Sequence, residues 1–328
     1  MMDNCVNENI DDSFIRLVQN LHHNMGSTIV KALEDPDVVE IMVNPDGKIW
    51  IEKLGEGMKE ISEIPSSQTR MIISLVATSL DTTVSKDSPI VEGELPLDGS
   101  RFEGLFPPVV KAASFTIRKK ASKVFPLEDY VENEIMSQEV MDSIKAAVTA
   151  KKNMVVVGGT GSGKTTLVNG VINSISEIEP DARLIIIEDT AELQSKSANT
   201  LFLRAFKNTS IQTLVRATMR LRPDRILVGE VRGGEALDLL KAWNTGHPGG
   251  IATVHANSAA EGLFRIEQLI SEASVSPMPH LIGSAIDFII FICRTQTGRK
   301  VTEVATVSGF DPLKQKYILE YIHNEKQH

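Results

Sequence analysis

Residues 154–157 are Met-Val-Val-Val, and Gly-Gly-Thr-Gly-Ser-Gly-Lys-Thr follows at 158–165. Four consecutive apolar residues read as a buried strand, and the run beginning at Lys164 reads as a helix. The loop between them satisfies G-x-x-x-x-G-K-[ST] with Gly158, Gly163, Lys164 and Thr165. Each residue type there has a physical reason. Glycines let backbone N–H groups turn inward around phosphate oxygens without a side-chain clash. A lysine brings a cation to the β- and γ-phosphates, and a threonine hydroxyl ligates Mg²⁺. The helix that follows points its positive end at the anion. The stretch therefore predicts a nucleoside triphosphate site, for ATP with Mg²⁺, lined by Gly159, Thr160, Gly161, Ser162, Gly163, Lys164, Thr165 and Thr166.

The residues after Asn153 agree with that expectation. Apolar strands are predicted at 183–188, 225–230 and 250–254, alternating with helices at 164–175, 211–220 and 235–245. Strand–helix alternation implies an α/β domain with a mostly parallel central sheet. Residues 302–307 and 316–321 read as a peripheral hairpin.

The first part of the chain reads differently. Phe14, Leu17, Val18, Leu21, Met25, Ile29 and Leu33 recur at helical spacing, and Asp35-Pro36-Asp37 stops that helix. Short extended runs follow at 38–43, 49–53 and 58–61, with Asn44-Pro45-Asp46-Gly47 as a turn. A helix is expected over 67–80, then strands at 90–95, 101–106 and 114–118. The expected organisation is an N-terminal α+β domain (1–118), a linker (119–136) and an α/β nucleotide-binding domain (137–328) that opens on a helix at 137–151. At roughly 100–200 residues per domain, the 328-residue length also suggests two.

Composition narrows the partners. With 43 acidic and 34 basic residues the net charge is −9, so direct nucleic-acid binding over a broad surface is not expected. Cys5 and Cys293 make neither a metal spacing nor a disulfide framework, which fits a reducing compartment. No run of 18 apolar residues occurs, and the acidic start MMDNCVNENIDD lacks the form of a signal peptide. The chain is expected in the cytosol, with no transmembrane segment. Any membrane attachment is expected to be peripheral. The apolar stripe at 14–33 has two readings: packing on its own domain, which is favoured, or contact with a membrane surface.

Hydrolysis needs more than a phosphate loop: a metal site and a positioned water. Glu188 and Glu230 each end a predicted apolar strand, where ligands of α/β sheets gather. Arg216, Arg220, Arg222, Arg225 and Arg232 crowd the third strand. They fit charge stabilisation on a phosphoryl group and ion pairing with Glu230, Glu235 and Asp238 equally well. His247 and His255 flank a short glycine-led strand without a metal partner at ligand spacing. A histidine there is either structural or a hydrogen-bonding sensor of the γ-phosphate. Arg101 and Arg118 lie on strand-like runs and by themselves read as surface charges.

Taken together, GGTGSGKT (158–165), IIIEDTAEL (185–193), LRPDRILVGEVRG (221–233) and NTGHPGGIATVHAN (244–257) resemble the Walker A, Asp box, Walker B and His box of the type II and type IV secretion ATPases. EDTAELQ and KAWNTGHPGG point within that superfamily to the TrbB-like ATPases of conjugative transfer. The resemblance covers roughly residues 10–310. It implies a hexameric motor with a RecA-like ATPase domain, nucleotide held between the two domains, and partners among other subunits of a transfer complex at the inner membrane. By position it implies that Lys164 and Thr165 grip phosphate and Mg²⁺, Glu188 activates water and Glu230 sits near the metal. His255 and His247 would link γ-phosphate to neighbouring segments, and Arg101 and Arg118 would reach nucleotide. A type II secretion or pilus ATPase is the alternative. Thr190, where the retraction branch carries proline, and the absence of a tetracysteine zinc motif weigh against it. A nucleotide-switched scaffold is a third reading, opposed by the presence of both Glu188 and Glu230.

Overall fold

The computed structural model describes residues 12–120, 124–206, 208–273, 276–296 and 298–325. The expectations for Cys5 and for the acidic first residues lie outside this range. The chain divides between Lys123 and Val124 into two compact units.

In the first unit, helix α1 (Asp12–Glu34) leads into strands β1 (Val38–Val43), β2 (Lys48–Lys53) and β3 (Met58–Glu63). Helix α2 (Ser66–Ser79) and strands β4 (Ile90–Glu94), β5 (Arg101–Leu105) and β6 (Ser114–Arg118) complete it. The sheet order is β3-β2-β1-β6-β5-β4, with every pairing antiparallel. The β1–β2 turn requires glycine: Gly47 has φ 87° and its Cβ would stand 2.7 Å from the Ile64 carbonyl oxygen. One face of the sheet buries Ile41, Val43, Ile49, Phe102, Phe115 and Ile117 with Leu21, Met25 and Ile29 of α1 and Ile72, Ile73 and Val76 of α2. The central stretch of the α1 stripe therefore packs on its own unit. Phe14, at its start, is 42% exposed.

The second unit begins with α3 (Leu127–Glu132) and α4 (Gln138–Thr149), the latter capped by Ser137 Oγ accepting from Val140 N at 3.2 Å. α3 falls inside the segment read as a linker, and its Leu127 and Tyr130 are buried. Then come β7 (Met154–Val157), α5 (Lys164–Ile178), β8 (Leu184–Glu188), β9 (Thr200–Arg204), α6 (Ile211–Thr218), β10 (Arg225–Val228) and α7 (Glu235–Asn244). β11 (Ile251–Val254), α8 (Ala259–Ala273), α9 (Pro279–Ala285), β12 (Phe288–Thr295), β13 (Gly298–Asp311) and β14 (Lys316–Asn324) finish the chain. The sheet order is β14-β13-β12-β7-β11-β10-β8-β9. From β12 to β9 all neighbours are parallel; β13 and β14 join antiparallel.

Every residue of β7, β8, β10 and β11 is buried, as expected for strands covered on both faces. Alternation divides them between two cores. Val155, Val157, Ile185 and Ile187 face the layer containing α7 and α8, whereas Met154, Val156, Leu184 and Ile186 face α4 and α5. The expected peripheral hairpin, β13–β14, forms one edge of the main sheet, joined to it through β12, which pairs with both β7 and β13. Four elements of this unit, β9, α8, α9 and β12, lay outside the sequence expectations. Gly262 hides α8, since glycine is a poor helix former. Its absent side chain lets α8 approach β7: a Cβ there would stand 2.6 Å from Val157 Cγ2.

Candidate nucleotide site

The phosphate loop links the carboxyl end of β7 to the first turn of α5. Gly161 and Gly163 hold it open with φ of 68° and 98°, values that an L side chain strains to adopt. The Cβ positions of Gly159 and Gly161 meet nothing within 4 Å, so the rim carries bare backbone where an anion would sit. Ser162 and Lys164 are buried, while Thr160 is exposed. Lys164 Nζ donates to the carbonyls of Gly158 and Gly159, both at 2.9 Å.

Parallel pairing sets the other groups beside this loop. Along β7-β11-β10-β8 the carboxyl ends carry, in order, the phosphate loop, His255, Glu230 and Glu188. Three strand spacings of about 4.8 Å separate the first from the last. Lys164 Nζ stands 3.3 Å from His255 Nδ1, and His255 Nε2 stands 3.0 Å from Glu230 Oε1. Lys164 Nζ also stands 3.5 Å from His255 Nε2, so the imidazole lies between the ammonium and the carboxylate. Glu230 Oε2 accepts from Arg232 Nη2 at 2.7 Å, and Arg232 Nη1 donates to Asp189 Oδ2 at 2.7 Å. Lys164, His255, Glu230, Arg232 and Asp189 thus form one polar chain across the strand ends. Burial pushes the Glu230 carboxyl up, but the Arg232 hydrogen bond and the charges of Arg232, His255 and Lys164 outweigh it and hold the group below its usual range.

Glu188 has a different setting. It is 5% exposed, and its Oε1 accepts from the backbone N–H groups of Glu192 and Leu193 at 3.0 and 2.9 Å. Burial pushes its carboxyl up to about 7, against the pull of those two hydrogen bonds. Gly229 makes room for it: a Cβ there would stand 3.0 Å from Glu188 Cγ. A carboxylate balanced near neutral pH is suited to accept a proton from water. If Glu188 is that base, turnover climbs with pH up to about 7 and then levels, because only the ionised form accepts the proton. Glu188→Gln should remove this limb and lower kcat about 10²–10⁴-fold. A pH–rate profile of the variant that keeps the wild-type limb would exclude Glu188 as the titrating base.

Mg²⁺ fits the donor set as a substrate-associated ion. Among the described residues no group of three or more His, Cys, Asp or Glu could cage a metal. A threonine hydroxyl and one carboxylate, with the rest supplied by phosphate and water, is how proteins hold this reluctantly dehydrated cation. By residue type, Thr165 and Glu230 would be such donors.

The arginine cluster resolves residue by residue. Arg216 is committed to a bidentate pair with Asp238, at 3.0 Å for each bond. Arg225 is fully buried and serves the opposite end of the sheet, and Arg232 belongs to the site. His247 stands apart from these groups. It precedes β11, whose Ile251 pairs with Met154 at the amino end of β7, and its Nδ1 contacts the Ala242 carbonyl at 3.3 Å. The strand's length therefore separates it from the loop within this unit. In the first unit, Arg101 and Arg118 stand directly opposite each other on β5 and β6. Arg101 also lies 3.5 Å from Glu92, and Arg118 faces Glu40 of β1. Arg232 had even odds as a site residue in the sequence. Its partners come from two strands more than forty residues apart, and no local pattern reveals that.

The family model for type II/IV secretion system proteins matches residues 23–308. The probable conjugal transfer protein TrbB of Sinorhizobium fredii is 50% identical over 295 residues, covering 90% of this chain and 91% of that protein. The conjugal transfer protein TrbB of Rhizobium radiobacter is 47% identical over 295 residues, with the same coverage of 90% and 91%. Among solved structures, the Yersinia pseudotuberculosis ATPase DotB superposes with a TM-score of 0.61 at 18% identity, covering 90% of this chain and 81% of that one; the likeness shows a shared fold.

Proposed function

Because this chain belongs to the type II/IV secretion system protein family, we propose that it is an ATP-hydrolysing motor of conjugative transfer, energising DNA passage or assembly of the channel or pilus. One observation carries the hydrolytic part: adjacent strands of one sheet bring Lys164, His255, Glu230 and Glu188 to the same edge. The relatives named as conjugal transfer proteins, at 50% and 47% identity along nine-tenths of the chain, support the transfer role.

In this reading the loop N–H groups and Lys164 hold the β- and γ-phosphates. Thr165 and Glu230 hold Mg²⁺, which would neutralise charge developing on the phosphoryl oxygens. Glu188 takes a proton from the attacking water, and its buried carboxyl is already raised for that task. His255 lies between Lys164 and Glu230 and links the phosphate-binding lysine to the metal-binding acid. Arg101 and Arg118 join the proposed nucleotide-binding set on the family resemblance. The domain organisation proposed is 1–118, a connection over 119–136, and 137–328. ATPase assays of Lys164→Ala and Glu188→Gln test the motor reading; undiminished turnover in both would sink it.

A homo-hexamer acting with other subunits of a transfer complex, peripheral to the cytoplasmic face of the inner membrane, completes the proposal. No helix among the described residues is long and apolar enough to cross a membrane. Sedimentation with ATP at micromolar protein is expected to show a species about six times the 35.9 kDa chain mass. Monomer alone under those conditions would rule the ring out.

A further inference from the structure

Strands β12 and β13 pass the phosphate loop on the side of β7 away from β11 and β10. Their contact with the loop is close. A Cβ on Gly158 would stand 2.3 Å from the Ile292 carbonyl oxygen, and one on Gly163 would stand 2.9 Å from Arg299 Cδ. Arg299 lies near the start of β13, opposite Arg294 of β12, and its Nε donates to the Gly161 carbonyl at 3.2 Å.

That bond acts on a particular peptide. In a planar trans peptide the C=O and the following N–H point in opposite directions. With the Gly161 carbonyl held outward by Arg299, the Ser162 N–H faces into the loop, toward the Gly159 carbonyl at 3.4 Å. The same carbonyl accepts from Lys164 Nζ, so this N–H points into the hollow that the lysine occupies. On the Gly161 side no side chain helps to fix the peptide, since the Cβ position of Gly161 meets nothing within 4 Å; on the other side Ser162 is buried. Glycine leaves ψ of residue 161 free to turn, and a flipped peptide would present an oxygen to phosphate instead of a donor.

We propose that Arg299 is a positioning residue for nucleotide binding, holding the Gly161–Ser162 peptide with its N–H turned toward the phosphates. This rests on the reading of residues 158–165 as a nucleotide site. The side chain acts through the loop backbone, so its effect falls on binding rather than on the chemical step.

Three substitutions separate this role from a general effect of charge. Arg299→Gln places an amide N–H at the position of Nε and removes the charge. Arg299→Lys keeps the charge and puts a methylene at that position. Arg299→Ala removes both. Affinity for a fluorescently labelled ADP and the kinetics of ATP hydrolysis would be measured for each, beside wild type and Lys164→Ala. The alanine and lysine variants are expected to bind about tenfold more weakly and to raise KM about as much, because a hydrogen bond from a charged donor is lost. Their kcat should stay within about twofold of wild type, the signature of uniform binding. The glutamine variant should recover most of the affinity. The proposal is overturned if Arg299→Ala binds as wild type while Lys164→Ala does not, if glutamine is as impaired as alanine, or if the loss falls on kcat alone. Absence of nucleotide binding by the wild-type protein would instead overturn the nucleotide reading itself, and this proposal with it.

Discussion

Lys164→Ala is expected to lower ATP turnover by about two to three orders of magnitude, the scale seen when a preorganised group is removed from a developing charge. Lys164 is 7% exposed, and its ammonium reaches the Gly158 and Gly159 carbonyls and His255. Alanine withdraws the cation from the phosphate hollow and from His255. Folding should change less, because the Gly159 carbonyl lies at the exposed rim and only the Gly158 carbonyl is buried. The informative measurement pairs steady-state hydrolysis with thermal unfolding. Turnover at the wild-type rate would remove the loop from the reaction, and a collapse in melting temperature would recast Lys164 as structural.

The largest effect on stability is expected at Arg225. Its side chain is fully buried and ties four segments together. Nη2 donates to the Val148 carbonyl of α4 at 2.7 Å, and Nη1 to the Gly249 carbonyl before β11 at 3.1 Å. Nε and Nη2 meet the two oxygens of Glu179, each at 3.2 Å. Arg225→Ala strands two carbonyls around a cavity and leaves Glu179 paired with Lys151 alone, at 3.4 Å; removing one partner of a buried pair costs about 3–5 kcal/mol. For a unit of this size that lowers Tm by about 10 °C. Arg225→Lys should recover only part, because one ammonium cannot reproduce the planar fork. The pair also has a pH signature. Burial pushes Glu179 up, but the Arg225 hydrogen bond and charge hold it below the usual carboxylate range. A depressed folded pKa contributes stability that is present above the unfolded value and lost as pH falls through the folded one. The stability gap between wild type and Arg225→Ala should therefore narrow in acid. Denaturant unfolding across that range measures it, and a gap that stays constant would show that the ion pair adds nothing beyond the two carbonyl bonds.

Much of the second unit was legible in the chain. Buried parallel strands read as unbroken apolar runs, so β7, β8, β10 and β11 could be located and their ends found at Gly158, Glu188, Glu230 and His255. Where the pattern was weaker, elements went unread. The apolar run of β12 is compatible with strand or helix, and Gly262 interrupts the helical signal of α8. The hairpin at the end of the chain was seen, but its attachment to the main sheet depends on β12.

His247 and His255 show where local reading stops. They flank the same short strand and carry the same chemistry, yet roughly 13 Å of extended backbone puts one at each end of the sheet. Only the parallel pairing of β11 with β7 says which end holds the phosphate loop. The arginines are similar: five clustered in sequence, but Asp238 takes Arg216, Glu179 takes Arg225, and Asp189 with Glu230 takes Arg232. The sequence by itself determined the place of the phosphate loop, because its eight residues are contiguous and include the glycines that its turns require. The tertiary structure alone decided the lateral order β7-β11-β10-β8, since strand pairing is a contact between distant segments, and with it the chain from Lys164 through His255 and Glu230 to Asp189.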